Sequence, residues 1–458
     1  MKRSASMHTA VVRQTRPICC VSARPLALCQ GGPNGRLPAF DLPQHGRGIF
    51  QFRRFEHQSF ASALPDQCSR EALSEPIEMI ADSSGERMLR IRWEDGLESE
   101  YLYFWLRDHC RCKECFHPDT KQRLLDTFSI STDIKPAQAK IHGRCLVIDW
   151  ANDGHCSSYD TEWLRRTGHP ETSREVNGYP QVHLWGQEIR DDPPIMAYKD
   201  IMDSDAGVKD WTGLIRRFGF SYVDGCPPTP SATQALLERI AFIRATHYGS
   251  FWDFTSDLSS KDTAYTTLAL PAHTDTTYFT DPCGLQMFHL LSHTAGAGGA
   301  SLLVDGFKAA ATLRLEAPAA YDVLSTVRVP AHASGNEGVS IQPVRAFPVL
   351  NHDPETERLV QVRWNNDDRG TLYGDQRRVE EWYLAARKWA DVLRRGGSEY
   401  WEQLRPGRAL IFDNWRVLHG RSAFMGKRRM CGGYINHDDF ISRYRITNLG
   451  RAKVLETI

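Results

Sequence analysis

Short apolar runs separated by turn-forming residues dominate the chain, and their spacing predicts strands more often than helices. Leu89-Arg-Ile-Arg-Trp93 and Glu100-Tyr-Leu-Tyr-Phe-Trp105 alternate apolar with polar positions, the period of short antiparallel strands. Leu285 to Leu291, Ala300 to Val304, Leu359 to Trp364, Ala409 to Phe412 and Met430 to Ile435 predict further strands. Helical spacing is confined to a few stretches. Asp210 to Gly219 predicts a helix stopped by its glycine, with a strand at Phe220 to Val223 behind it. Ser231-Ala-Thr-Gln234 has the form of a capping box, opening a helix with Leu236, Leu237, Ile240 and Ile243 on one face. Val379, Trp382, Tyr383, Ala386, Trp389 and Leu393 repeat with the helical period, and Tyr248 and Trp252 share a face if a helix continues that far. The pattern is mainly β with flanking helices.

Two stretches carry candidate chemistry. In Leu268-Ala-Leu-Pro-Ala-His-Thr-Asp-Thr-Thr-Tyr-Phe279, His273 and Asp275 stand two apart, so in an extended segment both side chains reach one face. His419, in the apolar segment Ile411 to Arg421, offers a third donor. Two imidazoles and a carboxylate on one side of an ion form the facial triad of non-haem Fe(II) oxygenases. The basic cluster Lys427-Arg428-Arg429 follows, and Arg428 is the candidate to hold the far carboxylate of a 2-oxoglutarate cosubstrate bidentately. In a regular strand Arg429 faces the other way. The second stretch, Cys110-Arg-Cys-Lys-Glu-Cys115, puts three thiols close enough to close on structural zinc, with His109, His117, Cys145, His155 or Cys156 as the fourth donor.

Composition narrows the partners. Basic and acidic residues balance at 56 each, so no global field favours nucleic acid, and a small-molecule substrate is expected. No apolar run is long enough to span a membrane. The 12 cysteines are scattered and read as reduced thiols. Residues 1 to 55 hold nine Lys or Arg and a single acid, Asp41, the composition of a mitochondrial transit peptide. The expected organisation is a leader over 1–70, a small β-rich zinc-binding domain over 76–185 and an oxygenase domain over 195–450, with a polar linker zone near Arg166 to Asn177.

The segments Phe254 to Tyr265, Leu268 to Phe279, Leu303-Val-Asp-Gly-Phe307 and Asn414 to Arg421 resemble the γ-butyrobetaine dioxygenase family, the Fe(II)/2-oxoglutarate dioxygenases of carnitine biosynthesis. The similarity runs from about Trp105 to Asp439 and is greatest to the branch acting on Nε-trimethyllysine. It implies a double-stranded β-helix, or jelly roll, preceded by the zinc domain, and it selects His155 as the fourth zinc ligand. It implies hydroxylation of Nε-trimethyllysine at C3 with 2-oxoglutarate and dioxygen, giving succinate and CO2, with ascorbate as reductant, in the mitochondrial matrix. It implies an aromatic cage of Tyr248, Trp252, Tyr265 and Tyr434 for the trimethylammonium group, and Asn365 and Asn366 at the substrate's carboxylate end. Asp262 either pairs with the substrate's α-ammonium or caps a turn. A homodimer is compatible with the sequence. The alternatives are γ-butyrobetaine as substrate, or a non-catalytic protein that binds methylated ammonium groups.

Overall fold

The computed structural model describes residues 78–80, 87–168, 181–255 and 266–455. The expected leader, most of the linker zone and the stretch holding Asp262 and Tyr265 lie outside the described residues.

Strands β1 (Glu78–Ile80), β2 (Met88–Arg92) and β3 (Glu98–Leu102) form one antiparallel sheet, and β4 (Pro136–His142), β5 (Cys145–Trp150) and β6 (Cys156–Asp160) form another. The alternation read from the sequence is the alternation of burial. Leu89, Ile91, Trp93 and Tyr101 meet Leu146, Ile148, Trp150 and Tyr159 in one core. The expected strand through Trp105 stops at Leu102, and Tyr103–Asp108 is a helix. That turn drives Leu106 into the core and stacks Trp105 on Trp163 with centroids 5.5 Å apart.

The larger part of the chain is a jelly roll. Its strands are β7 (Ile195–Ala197), β8 (Phe220–Asp224), β9 (Phe251–Thr255), β10 (Leu270–His273), β11 (Leu285–Thr294), β12 (Ser301–Asp305), β15 (Tyr400–Glu402), β16 (Arg408–Asp413), β17 (Val417–Arg421) and β18 (Lys427–Ile435), with β13 (Leu350–His352) and β14 (Leu359–Val362) as a separate pair. One sheet has the order β7-β8-β16-β11-β18-β9 and the other β10-β17-β12-β15. Every pair among them is antiparallel except β7 with β8.

The long strands are nearly continuous in apolar residues because both their faces are covered. On β11, Leu285 and Met287 pack outward with Ile411 and Ile435 against Val208, Trp211, Ile215, Leu236 and Leu237 of two helices, Asp205–Phe218 and Pro230–Glu238. Leu290 turns inward with Leu410, Phe412, Met430 and Leu303. On the other side Leu302, Val304 and Leu418 pack against the helices Gly306–Glu316, Pro318–Thr326 and Gln376–Leu393.

Two helix readings need correction. The second helix starts at Pro230, capped by Thr229, whose hydroxyl accepts from Ala232 N at 3.3 Å. Proline suits the first helical position, where its missing N–H costs nothing, so it takes the start from Ser231; Ile243 then lies past the helix end at Glu238. Tyr248 and Trp252 do not share a helix. Gly249, at φ 97°, sits in a tight turn bridged by Thr246, and Trp252 belongs to β9 opposite Gly432. A Cβ on Gly432 would strike the Met287 carbonyl and the Trp252 ring, so only glycine lets that ring lie on β18.

Candidate active site and zinc cluster

β10 and β17 run antiparallel with His273 opposite His419, which brings their rings to 4.3 Å between centroids. Strand alternation does not deliver Asp275. The strand ends at His273, and Asp275 lies in the following turn, where Thr276 takes a φ of 58°. Asn414 holds that turn: Asp275 N donates to its Oδ1 at 2.7 Å, and its Nδ2 donates to the Asp275 and Cys283 carbonyls at 3.0 and 2.9 Å. The buried guanidinium of Arg363 donates to the carbonyls of Thr277, Phe279 and Thr280 at 2.6, 2.7 and 3.2 Å.

Asp275 Oδ1 stands 3.2 Å from His273 Nε2 and 3.7 Å from His419 Nε2. Metal bonds of about 2.1 Å space neighbouring octahedral donors about 3 Å apart, so the three residues fit one ion. Oδ2 accepts from Gln286 Nε2 at 2.7 Å and from the Tyr434 hydroxyl at 3.0 Å. His273 Nδ1, 2.8 Å from the Pro271 carbonyl, is fixed as the protonated nitrogen, which leaves Nε2 for the ion.

Electrostatics suit the same use. Burial opposes charge on Asp275, but His419, His273 and its hydrogen bonds hold the carboxyl well below the usual range. Burial, aided by His273, pushes His419 down to about 3 and keeps it neutral. Burial also disfavours a proton on His273, yet the Asp275 carboxylate outweighs it and raises that pKa. A cation held by the three residues would take the place of that proton.

A cavity of about 760 Å³ opens on the triad, lined from both sheets and from the helix Gln376–Leu393. Arg428 lines it and is 3% exposed. Among the described residues its Nε has no hydrogen-bond partner, although the Phe424 ring lies 5.6 Å away. Arg421 also enters the cavity, but donates to the Thr266 and Leu268 carbonyls at 2.8 and 3.1 Å. Burial, with Arg421 nearby, pushes Arg428 down to about 10, which leaves it cationic at neutral pH. Arg429 faces outward and donates to Asp253.

Trp252 and Tyr434 form one wall of the cavity, their centroids 6.2 Å apart at 64°, with Tyr248, Phe254 and Phe288 packed around them. The Tyr278 hydroxyl donates to that of Tyr248 at 3.4 Å. Tyr265 and Asp262 lie outside the described residues. Asn365 and Asn366 line the cavity; Asn365 donates to Asp368 at 2.8 Å and Asn366 accepts from Arg369 at 3.3 Å. Sequence reading passed over Gln286, Asn414, Arg363 and Tyr278. Gln286, a polar residue within the apolar run of β11, was the one available signal.

In the amino-terminal domain the three thiols and His155 converge. Cys110, Cys112 and Cys115 Sγ lie 3.3, 3.5 and 3.6 Å from His155 Nε2. Those are the edges of a tetrahedron with bonds of about 2.3 Å to sulfur and 2.0 Å to nitrogen, so the cluster fits zinc. Burial pushes the Cys110 thiol up to about 12, a cost that a bound dication offsets. Arg107 supports the cluster, reaching Cys115 Sγ at 3.3 Å and Asp153 at 2.7 Å, while Asp153 accepts from His155 N at 3.0 Å. His109 and His117 are engaged elsewhere: His109 Nδ1 meets the Trp105 carbonyl, and His117 Nδ1 accepts from Asp119 and Thr120. Cys156, the neighbouring thiol also open as a donor, is exposed and free, and Cys226, Cys283 and Cys431 are buried free thiols, in line with the expectation of reduced cysteines.

A jelly roll with a two-histidine, one-carboxylate site and a buried arginine is the arrangement of an Fe(II)/2-oxoglutarate-dependent dioxygenase. The family described as Taurine catabolism dioxygenase TauD, TfdA family matches residues 179–434, and Gamma-butyrobetaine hydroxylase-like, N-terminal matches residues 80–165. Trimethyllysine dioxygenase of Neurospora crassa is 50% identical over 389 residues, 78% of this chain and 82% of that protein. Human mitochondrial trimethyllysine dioxygenase is 39% identical, covering 84% and 94%, and γ-butyrobetaine dioxygenase of a Pseudomonas species is 34% identical, covering 77% and 92%. The chain belongs to the trimethyllysine dioxygenase family.

Proposed function

We propose that the protein hydroxylates Nε-trimethyllysine at C3, with 2-oxoglutarate and dioxygen consumed and succinate and CO2 released, as the first step of carnitine biosynthesis. The reading is carried by Tyr434, which belongs to two parts of the site at once. Its hydroxyl donates to Asp275 Oδ2 while its ring forms the aromatic wall with Trp252. A methylated ammonium seated on that wall therefore brings its own chain up to the triad.

His273, Asp275 and His419 hold the iron, which when bound supplies the activation of dioxygen. Arg428 takes the far carboxylate of 2-oxoglutarate, the charge-assisted partner that a buried guanidinium requires. Tyr248, Trp252 and Tyr434, with Tyr265, seat the trimethylammonium group, and Asn365 and Asn366 meet the substrate's carboxylate end. The choice of carbon follows from the distance between the aromatic wall and the triad, since a side chain held at one end presents a fixed position to the metal. Cys110, Cys112, Cys115 and His155 hold a structural zinc, whose four protein ligands leave no position for chemistry.

The domain limits proposed are a leader over 1–70, the zinc domain over 76–185 and the oxygenase domain over 195–450. The basic, acid-poor start and the relatives named as mitochondrial support a mitochondrial address, and we assign the matrix. Ascorbate serves to keep the iron reduced, and a homodimer is the proposed assembly. Incubation with Fe(II), ascorbate and 2-oxoglutarate, with trimethyllysine and γ-butyrobetaine supplied together, tests the reading by mass spectrometry. Hydroxytrimethyllysine is expected as the main product; hydroxylation of γ-butyrobetaine alone would assign the other substrate.

A further inference from the structure

One wall of the cavity and the turn that carries Asp275 come from different parts of the chain, and one buried cation joins them. Trp364, Asn365 and Asn366 line the cavity just past β14, and His332, Ser334 and Val339 line it from the irregular segment 327–349. The two stretches are bonded to each other, with His332 N donating to the Asp368 carbonyl at 2.9 Å and Gly370 N to that of Pro330 at 2.8 Å. Arg363 stands where they meet the turn. Its backbone N–H donates to the Val349 carbonyl at 2.8 Å, and its guanidinium lies 4.0 Å from the Phe347 ring. Nη2 donates to the carbonyls of Thr277 and Phe279, and Nη1 to that of Thr280. Val344 N adds a bond to Thr280 Oγ1 at 3.0 Å. Thr274 and Trp364 exchange bonds of 2.8 and 2.9 Å at the near end of the turn, and Arg363 holds the far end. The cation is 7% exposed and has no ion pair among the described residues; Asp281, whose charge reaches it, pairs with Arg244 instead. Burial lowers its pKa to about 10, which keeps it charged at neutral pH. Stability alone does not account for such a group, since apolar packing serves as well as a buried ion. Its planar fork does account for it, because two nitrogens fix three carbonyls of one turn at once.

Resting on trimethyllysine as substrate, we propose that Arg363 is a positioning residue: it locks this wall to the far end of the Asp275 turn and so sets the substrate carbon against the metal. Asn414 and Gln286 hold Asp275 itself from the other side, so the ligand keeps its place without Arg363. The reach of C3 does not. A misplacement of about 1 Å is enough to lose about 100-fold in a positioned reaction. The cosubstrate, taken by Arg428 of β18, stays where it is. Loss of Arg363 therefore separates the two halves of the reaction: 2-oxoglutarate is still consumed while the substrate carbon is missed.

The test measures hydroxytrimethyllysine formed per succinate in the full-length protein with Fe(II), 2-oxoglutarate and trimethyllysine, beside Fe(II) titration of the metal-free protein and thermal melts. The wild-type protein is expected to form the two products in equal amounts. Arg363→Met is expected to lower the hydroxylated product per succinate at least about fivefold. Its Fe(II) binding should change by much less than the roughly 10- to 100-fold that follows loss of a group bonded to a metal ligand. Arg363→Lys should recover part of the ratio, since a single ammonium does not reproduce the fork. Phe347→Leu, which leaves the carbonyl bonds in place, should lower the ratio in the same direction and gives the readout should Arg363→Met not fold. An unchanged ratio in the folded variants would overturn the proposal. So would a loss of Fe(II) binding that accounts for the whole fall in turnover with the ratio kept, because Arg363 would then serve the metal site alone. Wild-type protein that forms no hydroxytrimethyllysine would instead overturn the functional reading on which the proposal rests.

Discussion

Gln286 and Tyr434 both donate to Oδ2 of Asp275, so the carboxylate turns Oδ1 toward the two imidazoles. Groups that orient a ligand in this way affect metal binding almost as strongly as the ligand itself. Gln286→Leu is therefore expected to weaken Fe(II) binding by about 10- to 100-fold, with the fold retained, as read by metal titration. An unchanged affinity would show that the turn alone orients Asp275. Arg428→Ala should raise the 2-oxoglutarate requirement at least about tenfold, because a charged hydrogen bond contributes roughly 1.5–3 kcal/mol. Arg429→Ala, whose outward side chain pairs with Asp253, should leave that requirement alone; the reverse order would place the cosubstrate on the other face of β18. The sequence disclosed His273, His419 and Arg428 because their residue types are costly to bury without a use. Gln286, Asn414 and Arg363 escaped notice because their importance lies in what the fold places opposite them.

At the level of elements, the apolar periodicity located the long strands and the Gln376–Leu393 helix, since both faces or one full face of each is buried. It missed the helices Gly306–Glu316 and Pro318–Thr326, whose alanine-rich sequences carry little contrast between faces. It also could not see that β10 ends at His273, because Asn414, which is distant in sequence, decides where the chain turns. β11 carries a further testable feature. His289 is fully buried, with Nδ1 2.7 Å from the Thr233 hydroxyl and Nε2 accepting from Gly407 N at 3.3 Å. Burial pushes its pKa down to about 4. The unfolded chain takes up this proton near pH 6.5, whereas the native protein refuses it until about 4. Its contribution is therefore complete above about pH 6.5 and is lost as the pH falls toward 4, on the order of 3 kcal/mol in all. His289→Gln should flatten this part of the pH–stability curve, as measured by denaturant melts. A slope equal to that of wild type would move the acid sensitivity elsewhere.

For the whole molecule, the two candidate metal sites differ in what their loss should do. Both were legible in part from the sequence as closely spaced donors, and the fold brings to the three thiols His155, the donor that the family resemblance selected from several nearby ones. Cys112→Ser is expected to lower the melting temperature by more than about 5 °C, since a structural ion contributes several kcal/mol to folding. The folded fraction should keep its rate constants; a selective loss of turnover without loss of stability would contradict a structural role. If one cavity binds cosubstrate and trimethyllysine against the same triad, as proposed above, both oxidations share one dioxygen molecule. This is tested most directly by turnover under 18O2 with Fe(II), 2-oxoglutarate and trimethyllysine. Equimolar succinate and 3-hydroxytrimethyllysine are expected, each carrying one labelled oxygen, with both lost in His273→Ala. Consumption of 2-oxoglutarate that does not respond to trimethyllysine, or hydroxylated product with no label in succinate, would contradict it.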